Sequence, residues 1–232
     1  MTFRDKTGKL EKTGMILLKT ERQRCFMNDI IITISRQYGS AGRQIGGKAA
    51  DALNIPFYDK EIIDLAAKES GLAVDFIRGQ EKKLTQSLLF SIVTNFTASG
   101  SAYSPNMLSL ADQVYLAEAN AIRALADKGP CVIVGRCAAA VLKNEKPLLR
   151  VFISADLESR CRRAVSEYGD SEENIKKTVR DIDKQRARYC QHYYDQAWED
   201  VNNYDLCLNS DTLGVEGCVK VICRARELLS EK

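Results

Sequence analysis

The chain has 232 residues, of which 45% are hydrophobic and 28% are charged, and a formal net charge of +3. This composition is typical of a soluble globular protein and excludes long disordered or fibrous stretches, while the interspersed acids exclude the basic stripe of a duplex-binding protein. No apolar run approaches the roughly 20 residues needed to cross a bilayer, so we expect a cytoplasmic protein with no nucleic-acid or membrane partner.

The first predicted unit is a strand, a glycine-containing loop and a helix. Residues 1–26 are polar and charged without a clear period, so we expect a flexible leader followed by one domain over residues 27–232. The run Ile30–Ile34 is continuously β-branched, which is typical of a buried parallel strand. Residues 43–53 then show helical period.

The next segment contains a second helix and an insertion. Phe57-Tyr58 is predicted to be extended, and Asp59 is predicted to cap a helix that ends at Gly71. The composition then turns to Ser, Thr, Asn and Gly, and we predict an inserted, mobile lid at approximately residues 74–106. Helical period returns over residues 107–127.

The remainder of the chain alternates between apolar strands and helices. Strands are predicted at residues 131–134, 149–153 and 204–211, and helices at 156–167, 171–194 and 214–229, with an arginine-rich lid region over approximately 156–195. This alternation predicts an α/β fold in which helices cover both faces of a parallel sheet.

The first loop resembles a phosphate-binding sequence. A standard phosphate-binding loop reads Gly-x-x-x-x-Gly-Lys-Ser/Thr, whereas this chain has "QYGSAGRQ" from Gln37 to Gln44. Backbone N–H groups and the positive end of a helix dipole make such a loop an anion site. Gly39 and Gly42 supply conformational freedom, and Arg43 replaces the lysine as a permanent charge that grips oxygens bidentately. Two glycines in a tight strand-to-helix turn also occur in proteins without a nucleotide.

Several arginines follow later strands, at the edge where open α/β sheets collect ligands. Arg136 comes directly after a predicted strand, and Arg160 and Arg163 share one face of the next helix while Arg162 lies on another. Either a phosphate contact or a carbonyl contact would explain Arg136, and we expect at least one arginine of this helix to be a solvated surface charge.

The long charged helix places Asp183 and Arg186 three residues apart on one face. An ordinary exposed helix has the same pattern. In phosphoryl transfer, however, charge spreads over the transferred oxygens, and guanidinium groups are the main contribution that a protein can make. The arginines and the lack of histidines other than His192 fit that chemistry.

Cysteine and histidine give no indication of a metal site. None of the eight cysteines forms a Cys-x-x-Cys pair, and there is a single histidine, His192. We therefore expect no protein metal cluster, mostly reduced and buried cysteines, and a partly exposed His192 among tyrosines.

The loop together with "FYDKEII", "VIVGR", "FISADLESRCRR" and "DKQRARYC", in that order, resembles the cytidylate kinase-like family of P-loop nucleoside monophosphate (NMP) kinases. The resemblance runs from about Asn28 to the C-terminus. It implies the P-loop NMP-kinase core, which is a parallel sheet with an NMP-binding insertion and an arginine-carrying lid.

The resemblance also implies site residues and substrates. The reaction would use ATP and Mg²⁺ to convert CMP or dCMP to the diphosphate. The residues that would hold the donor ATP phosphates are Gly39, Ser40, Ala41, Gly42, Arg43 and Gln44. Those that would hold the acceptor nucleotide are Asp59, Arg136, Arg160, Asp183 and Arg186. The catalytic arginines would be Arg43, Arg136, Arg160 and Arg186.

Two other functions stay open at this point. Gln44 and the alanines that follow Arg136 favour a nucleotide-binding regulator or pseudokinase without turnover. A small-molecule kinase with a non-nucleotide acceptor is also consistent with the pattern. Nothing in the sequence indicates an oligomeric state.

Overall fold

A computed structural model describes residues 30–71, 109–144 and 147–231 of the chain. The predicted leader (residues 1–26) and the predicted insertion (residues 74–106) lie outside these residues, so the proposed division of the chain stays a prediction. The described part contains a five-stranded, wholly parallel sheet in the order β2-β3-β1-β4-β5. Its strands are β1 (Ile31–Arg36), β2 (Phe57–Tyr58), β3 (Val132–Val134), β4 (Leu148–Ser154) and β5 (Leu206–Asn209).

Helices cover both faces of the sheet, as the sequence predicts. Helices α1 and α7 pack on one face, and α2, α3 and α4 pack on the other. Helices α5 and α6 pack on each other and follow β4. The seven helices of the described residues are α1 (Gly42–Leu53), α2 (Glu61–Ser70), α3 (Leu110–Ala126), α4 (Ala138–Val141), α5 (Leu157–Ser166), α6 (Ile175–Tyr194) and α7 (Ser210–Ser230).

The central strand β1 is buried because both of its faces are covered. Ile32 and Ile34 face α1 and α7, and Ile31 belongs to the core on the opposite side. In register, Ile34 pairs with Val134 of β3, and Arg36 pairs with Ile153 of β4. Because all strands are parallel, the residues after β1, β3 and β4 meet at one carboxyl edge of the sheet.

Three helix starts differ from the sequence prediction, and the simplest case is α6, which begins at Ile175 after an N-cap at Asn174 rather than at residue 171. Helix α2 begins at Glu61 rather than at a cap on Asp59, whose carboxylate is bound by Arg43 instead. Helix α7 begins at Ser210, within the segment predicted to be strand, because the Asn209 side chain accepts hydrogen bonds from the first backbone N–H groups. Gly214, the predicted first residue of this helix, lies at a kink with φ 66°.

Candidate functional site

The loop between β1 and α1 (Gln37–Ala41, the β1–α1 loop) opens a helix at the carboxyl edge of the sheet. Gly39 (φ 79°) and Ala41 (φ 59°) have left-handed backbone conformations, and Ala41 is the N-cap of α1. The buried Ser40 hydroxyl donates to the Gln37 carbonyl at 2.8 Å, which tightens the turn. The loop therefore presents backbone N–H groups and a helix N-terminus, a geometry that binds anions.

A carboxylate of helix α6 already contacts this loop. The backbone N–H of Tyr38 donates to Asp183 Oδ1 at 2.7 Å, and Asp183 is buried. Burial raises the pKa of Asp183, and the Tyr38 N–H together with Arg186 and Arg160 opposes that rise. In this conformation an acidic side chain thus takes one of the positions that the loop offers to an anion.

Two arginines of α5 hold the loop from one side. The Arg160 guanidinium donates to the Tyr38 carbonyl at 3.3 Å and to Asp183, and Arg163 donates to the Gly39 carbonyl. A Cβ atom on Gly39 would overlap the backbone carbonyl of Arg160, so the glycine is needed for this close approach. Arg162 is exposed, as the helical spacing predicts for one of the three.

Helix α6 contributes a third arginine. Arg186 donates to the Arg36 carbonyl at 2.8 Å and lies 3.4 Å from Asp183 Oδ1. Its pKa is lowered, mainly by burial and in part by the like charge of Arg136. Arginines from α5, α6 and the end of β3 therefore converge on one edge of the sheet.

Arg43 lies on the other side of the loop. Its Nε donates to Asp59 Oδ2 at 2.5 Å, and its side chain is 56% exposed. The neighbouring Gln44 is exposed as well. The structure thus pairs a predicted donor-site residue with a predicted acceptor-site residue, at the opening of the site rather than within it.

Arg136 is fixed by a buried carboxylate. It follows β3 with φ 50°, and its Nε donates to Glu118 Oε1 at 3.2 Å. The Tyr189 hydroxyl of α6 donates to the other oxygen of Glu118 at 3.1 Å. Glu118 is only 3% exposed, so this carboxylate joins α3, α6 and the end of β3.

Three contributors to the site escape the sequence prediction as functional residues. Arg36 is the last residue of a strand and carries no motif signal of its own. Arg163 shares a helical face with Arg160, but its contact is to a backbone carbonyl, which no side-chain pattern reveals. Glu118 gave a usable signal, because it lies on the buried stripe of α3 with Val114 and Ile122, where an unpaired charge would be costly.

A wide cleft of 780 Å³ borders these groups. Arg163, which contacts Gly39 of the loop, is also part of its wall. Its lining also includes Lys176 at the start of α6 and Asp211 at the start of α7. The cleft thus lies between α5 and the first residues of α6 and α7, and Arg163 is the residue that it shares with the surroundings of the loop.

Four of the seven described cysteines are buried, as the sequence predicts for most of them. The seven cysteines of the described residues are free thiols, and His192 is exposed with its ring against Tyr193. Over the same ranges no group of three or more His, Cys, Asp or Glu side chains is placed to hold a metal ion. None of the described helices is long and apolar enough to cross a membrane.

Comparison with known proteins agrees with this architecture. The cytidylate kinase of Methanoculleus marisnigri is 29% identical over 101 residues, which are 41% of this chain and 55% of that protein. The cytidylate kinase of Methanococcus aeolicus is 30% identical over 104 residues, which are 44% of this chain and 58% of that protein. The chain thus spans little more than half the length of these curated relatives.

Solved structures show the same fold. An uncharacterized protein from Eubacterium ventriosum aligns with 85% of this chain and 98% of its own length, at a TM-score of 0.61 and 24% identity. Shikimate kinase from Acinetobacter baumannii, in complex with shikimate, aligns with 90% of this chain and 98% of its own length, at a TM-score of 0.52 and 13% identity. The described sheet and helices therefore have the fold of these two structures.

A family model provides the most extensive sequence match. The model of the cytidylate kinase-like family matches residues 31–212, from the first residue of β1 into α7. Because this match covers most of the chain, including the β1–α1 loop, Arg136 and both arginine-bearing helices, the protein belongs to the cytidylate kinase-like family.

Proposed function

We propose that this protein is a nucleoside monophosphate kinase that transfers the γ-phosphate of ATP to CMP or dCMP. The observation that carries the proposal is the β1–α1 loop with its helix N-terminus, surrounded by Arg160, Arg163 and Arg186 at one sheet edge. Such an arrangement suits a ligand with several phosphate groups. Membership of the cytidylate kinase-like family supports the choice of a pyrimidine acceptor.

The donor phosphates would bind to the loop and to the start of α1. Gly39, Ser40, Ala41 and Gly42 would supply backbone N–H groups, and Arg43 would add a charge at the opening. The buried Nε of Arg160 has no hydrogen-bond partner among the described residues, so it supplies a further donor for a phosphate oxygen. The adjoining 780 Å³ cleft has room for the nucleoside of ATP.

The acceptor would bind near Arg136. Its phosphate oxygen is the nucleophile, so the reaction needs no strong general base. That oxygen forms a bond to the γ-phosphorus while the bond from this phosphorus to the β–γ bridging oxygen breaks, and the electron pair leaves with ADP. Asp59 would contact the acceptor nucleotide once Arg43 turns to the phosphates. The arginines hold the phosphates in line and stabilise the charge on the transferred oxygens.

Helices α5 and α6 would act as the lid in this mechanism. Asp183 links them, since it is bound by Arg160 of α5 and by Arg186 of α6. Through Asp183 and Tyr38 this pair of helices is also bound to the loop. Movement of α6 would therefore shift Asp183 and Arg186 together, relative to the loop and to Arg160.

Magnesium fits this site as a companion of ATP. Mg²⁺ keeps several waters and is held largely by substrate phosphates, so it needs few protein ligands. Ser40 and Gln44 lie on either side of the first residue of α1 in sequence, and their side-chain oxygens would complete the coordination of Mg²⁺ or bind its waters. The ion would neutralise phosphate charge during transfer.

The function is tested by measuring ADP release with ATP and magnesium against CMP, dCMP, UMP, AMP, GMP and shikimate. The wild type is compared with Arg43→Ala and with Lys184→Ala, a control at an exposed position of α6. We expect turnover that prefers CMP or dCMP, a loss of two or more orders of magnitude in Arg43→Ala, and an unchanged control. Unchanged kcat in Arg43→Ala would refute its assignment to the donor site.

A second candidate is a nucleotide-binding regulator without turnover. The contact of Arg43 with Asp59 and the exposed Gln44 favour it, because neither group is directed at a phosphate in this conformation. It predicts calorimetric binding of ATP with no ADP release on any acceptor and little dependence on magnesium. Turnover on shikimate alone would instead identify a small-molecule kinase.

A further inference from the structure

Arg36 occupies a central place at the carboxyl edge of the sheet. It is the last residue of β1, which is the middle strand of the five. Alternation along the strand puts its side chain on the same face as Ile32 and Ile34, the face covered by α1. The residue as a whole is half-buried.

Two glycines leave the space that the Arg36 side chain fills. A Cβ atom on Gly42, the first residue of α1, would overlap the Cβ of Arg36. A Cβ atom on Gly135 would overlap Nη1 of Arg36 and lie 3.1 Å from its Cζ. The side chain therefore extends from beneath the start of α1 to the end of β3, next to Arg136.

Further contacts fix this direction. The Arg36 carbonyl accepts a hydrogen bond from Arg186, which holds the backbone where the side chain begins. The charge of Arg36 also acts on Cys137, the residue after Arg136. The pKa of Cys137 is raised mainly by its hydrogen bond with Cys190 and by burial, and Arg36 opposes that rise.

We propose that the Arg36 guanidinium binds the phosphate that is transferred, as a fixed cation between the β1–α1 loop and Arg136; this role rests on the proposed function. Arg43 has the sequence position of the usual lysine, but it is largely exposed and bound to Asp59. Arg36 reaches the same edge from beneath, where the donor and acceptor phosphates would meet. Its planar fork can contact two non-bridging oxygens while charge builds up on them.

The role predicts a binding defect that can be measured without any transfer. Calorimetry with tripolyphosphate tests the donor site alone, in the absence of an acceptor. We expect Arg36→Met to weaken tripolyphosphate binding by about 10-fold or more, because a charge-assisted contact is lost. Arg188→Met, at an exposed position of α6, is the matched control and should bind as the wild type does.

Arg36→Lys separates a contact role from a packing role. Lysine keeps the charge but not the fork, so binding should weaken about fivefold while the cooperative unfolding transition is retained. If Arg36→Met does not fold, this variant decides the question. In the ADP-release assay with CMP as the acceptor, both Arg36 variants should lower kcat. We expect a loss of about 100-fold for Arg36→Met and a smaller loss for Arg36→Lys.

The outcomes distinguish this proposal from the proposed function. Wild-type affinity in a folded Arg36→Met or Arg36→Lys variant overturns the role of Arg36, whether or not the protein is a kinase. No tripolyphosphate binding by the wild type overturns the donor site itself, and with it both proposals. Binding by the wild type, weakening in both Arg36 variants and an unchanged Arg188→Met support the assignment.

Discussion

Replacement of Gly39 by alanine tests the packing of the β1–α1 loop against α5. Gly39 has φ 79°, a conformation that costs a residue with a side chain about 1–2 kcal/mol. The added Cβ would also overlap the Arg160 carbonyl and lie 2.9 Å from its carbonyl carbon. Relief of that overlap requires movement of the loop or of α5, which costs a further ~1–3 kcal/mol.

Gly47→Ala is the matched control within the neighbouring helix. Gly47 lies inside α1, and a Cβ atom there would meet no heavy atom within 4 Å. Alanine is the better helix former, so this change should raise the free energy of unfolding by about 0.5–1 kcal/mol. The same substitution therefore has opposite effects at two positions eight residues apart.

Urea unfolding monitored by circular dichroism measures both effects. We expect Gly39→Ala to lose about 2–5 kcal/mol, a large part of the 5–15 kcal/mol typical of a domain. Tripolyphosphate binding should fall as well, since the loop must move away from α5. A loss below about 0.5 kcal/mol in Gly39→Ala, with binding intact, would show that the loop does not approach α5 as described.

Two further variants test electrostatic contacts. Glu118→Gln removes the charge that holds Arg136, so the KM for the acceptor should rise by about 10-fold or more while the affinity for tripolyphosphate stays unchanged. An equal weakening of acceptor and tripolyphosphate binding would contradict a specific role at Arg136. The Asp59 N–H lowers the pKa of Glu61, so this carboxylate stabilises the fold above its unfolded pKa and the contribution is lost as pH falls through the lower folded pKa. Thermal unfolding of Glu61→Gln should show a deficit in Tm at neutral pH that shrinks as the pH falls below the unfolded pKa of about 4.3, and a deficit that stays constant over this range would contradict the assignment.

Much of the fold is predictable because its signals are local. The β-branched run at β1 reflects a strand covered on both faces, and Gly71 ends α2 in the left-handed conformation that glycine favours. The helix starts were less predictable, because competing local contacts decide them. Asp59 has the sequence features of an N-cap. In the structure, however, its carboxylate is bound by Arg43, which lies sixteen residues earlier in the sequence.

The sequence indicates which arginines gather at the carboxyl edge of the sheet, but not the partners to which they bind. The sequence indicates that Arg136, Arg160 and Arg186 follow strands or lie on shared helix faces, and the structure brings them to one edge. Their partners are mostly backbone carbonyls and carboxylates distant in sequence. Such contacts depend on tertiary packing, and no spacing rule encodes them. Glu118 is the exception, because a charged residue on a buried helical stripe implies a buried partner.

In the proposed donor site, the hydrogen bond from the Tyr38 N–H to Asp183 would make the protein's own carboxylate a competitor of the ligand. A ligand oxygen can accept from this N–H only after the Asp183 carboxylate has left it. The apparent affinity for the ligand is therefore the intrinsic affinity multiplied by the fraction of molecules in which Asp183 has left the Tyr38 N–H. Movement of α6 away from the loop would also separate Asp183 from Arg160, whose guanidinium group the incoming ligand would then neutralise, while Arg186 would move with Asp183 on the same helix. The exchange would thus favour polyanions, since a singly charged ion cannot both take the Tyr38 N–H and neutralise Arg160.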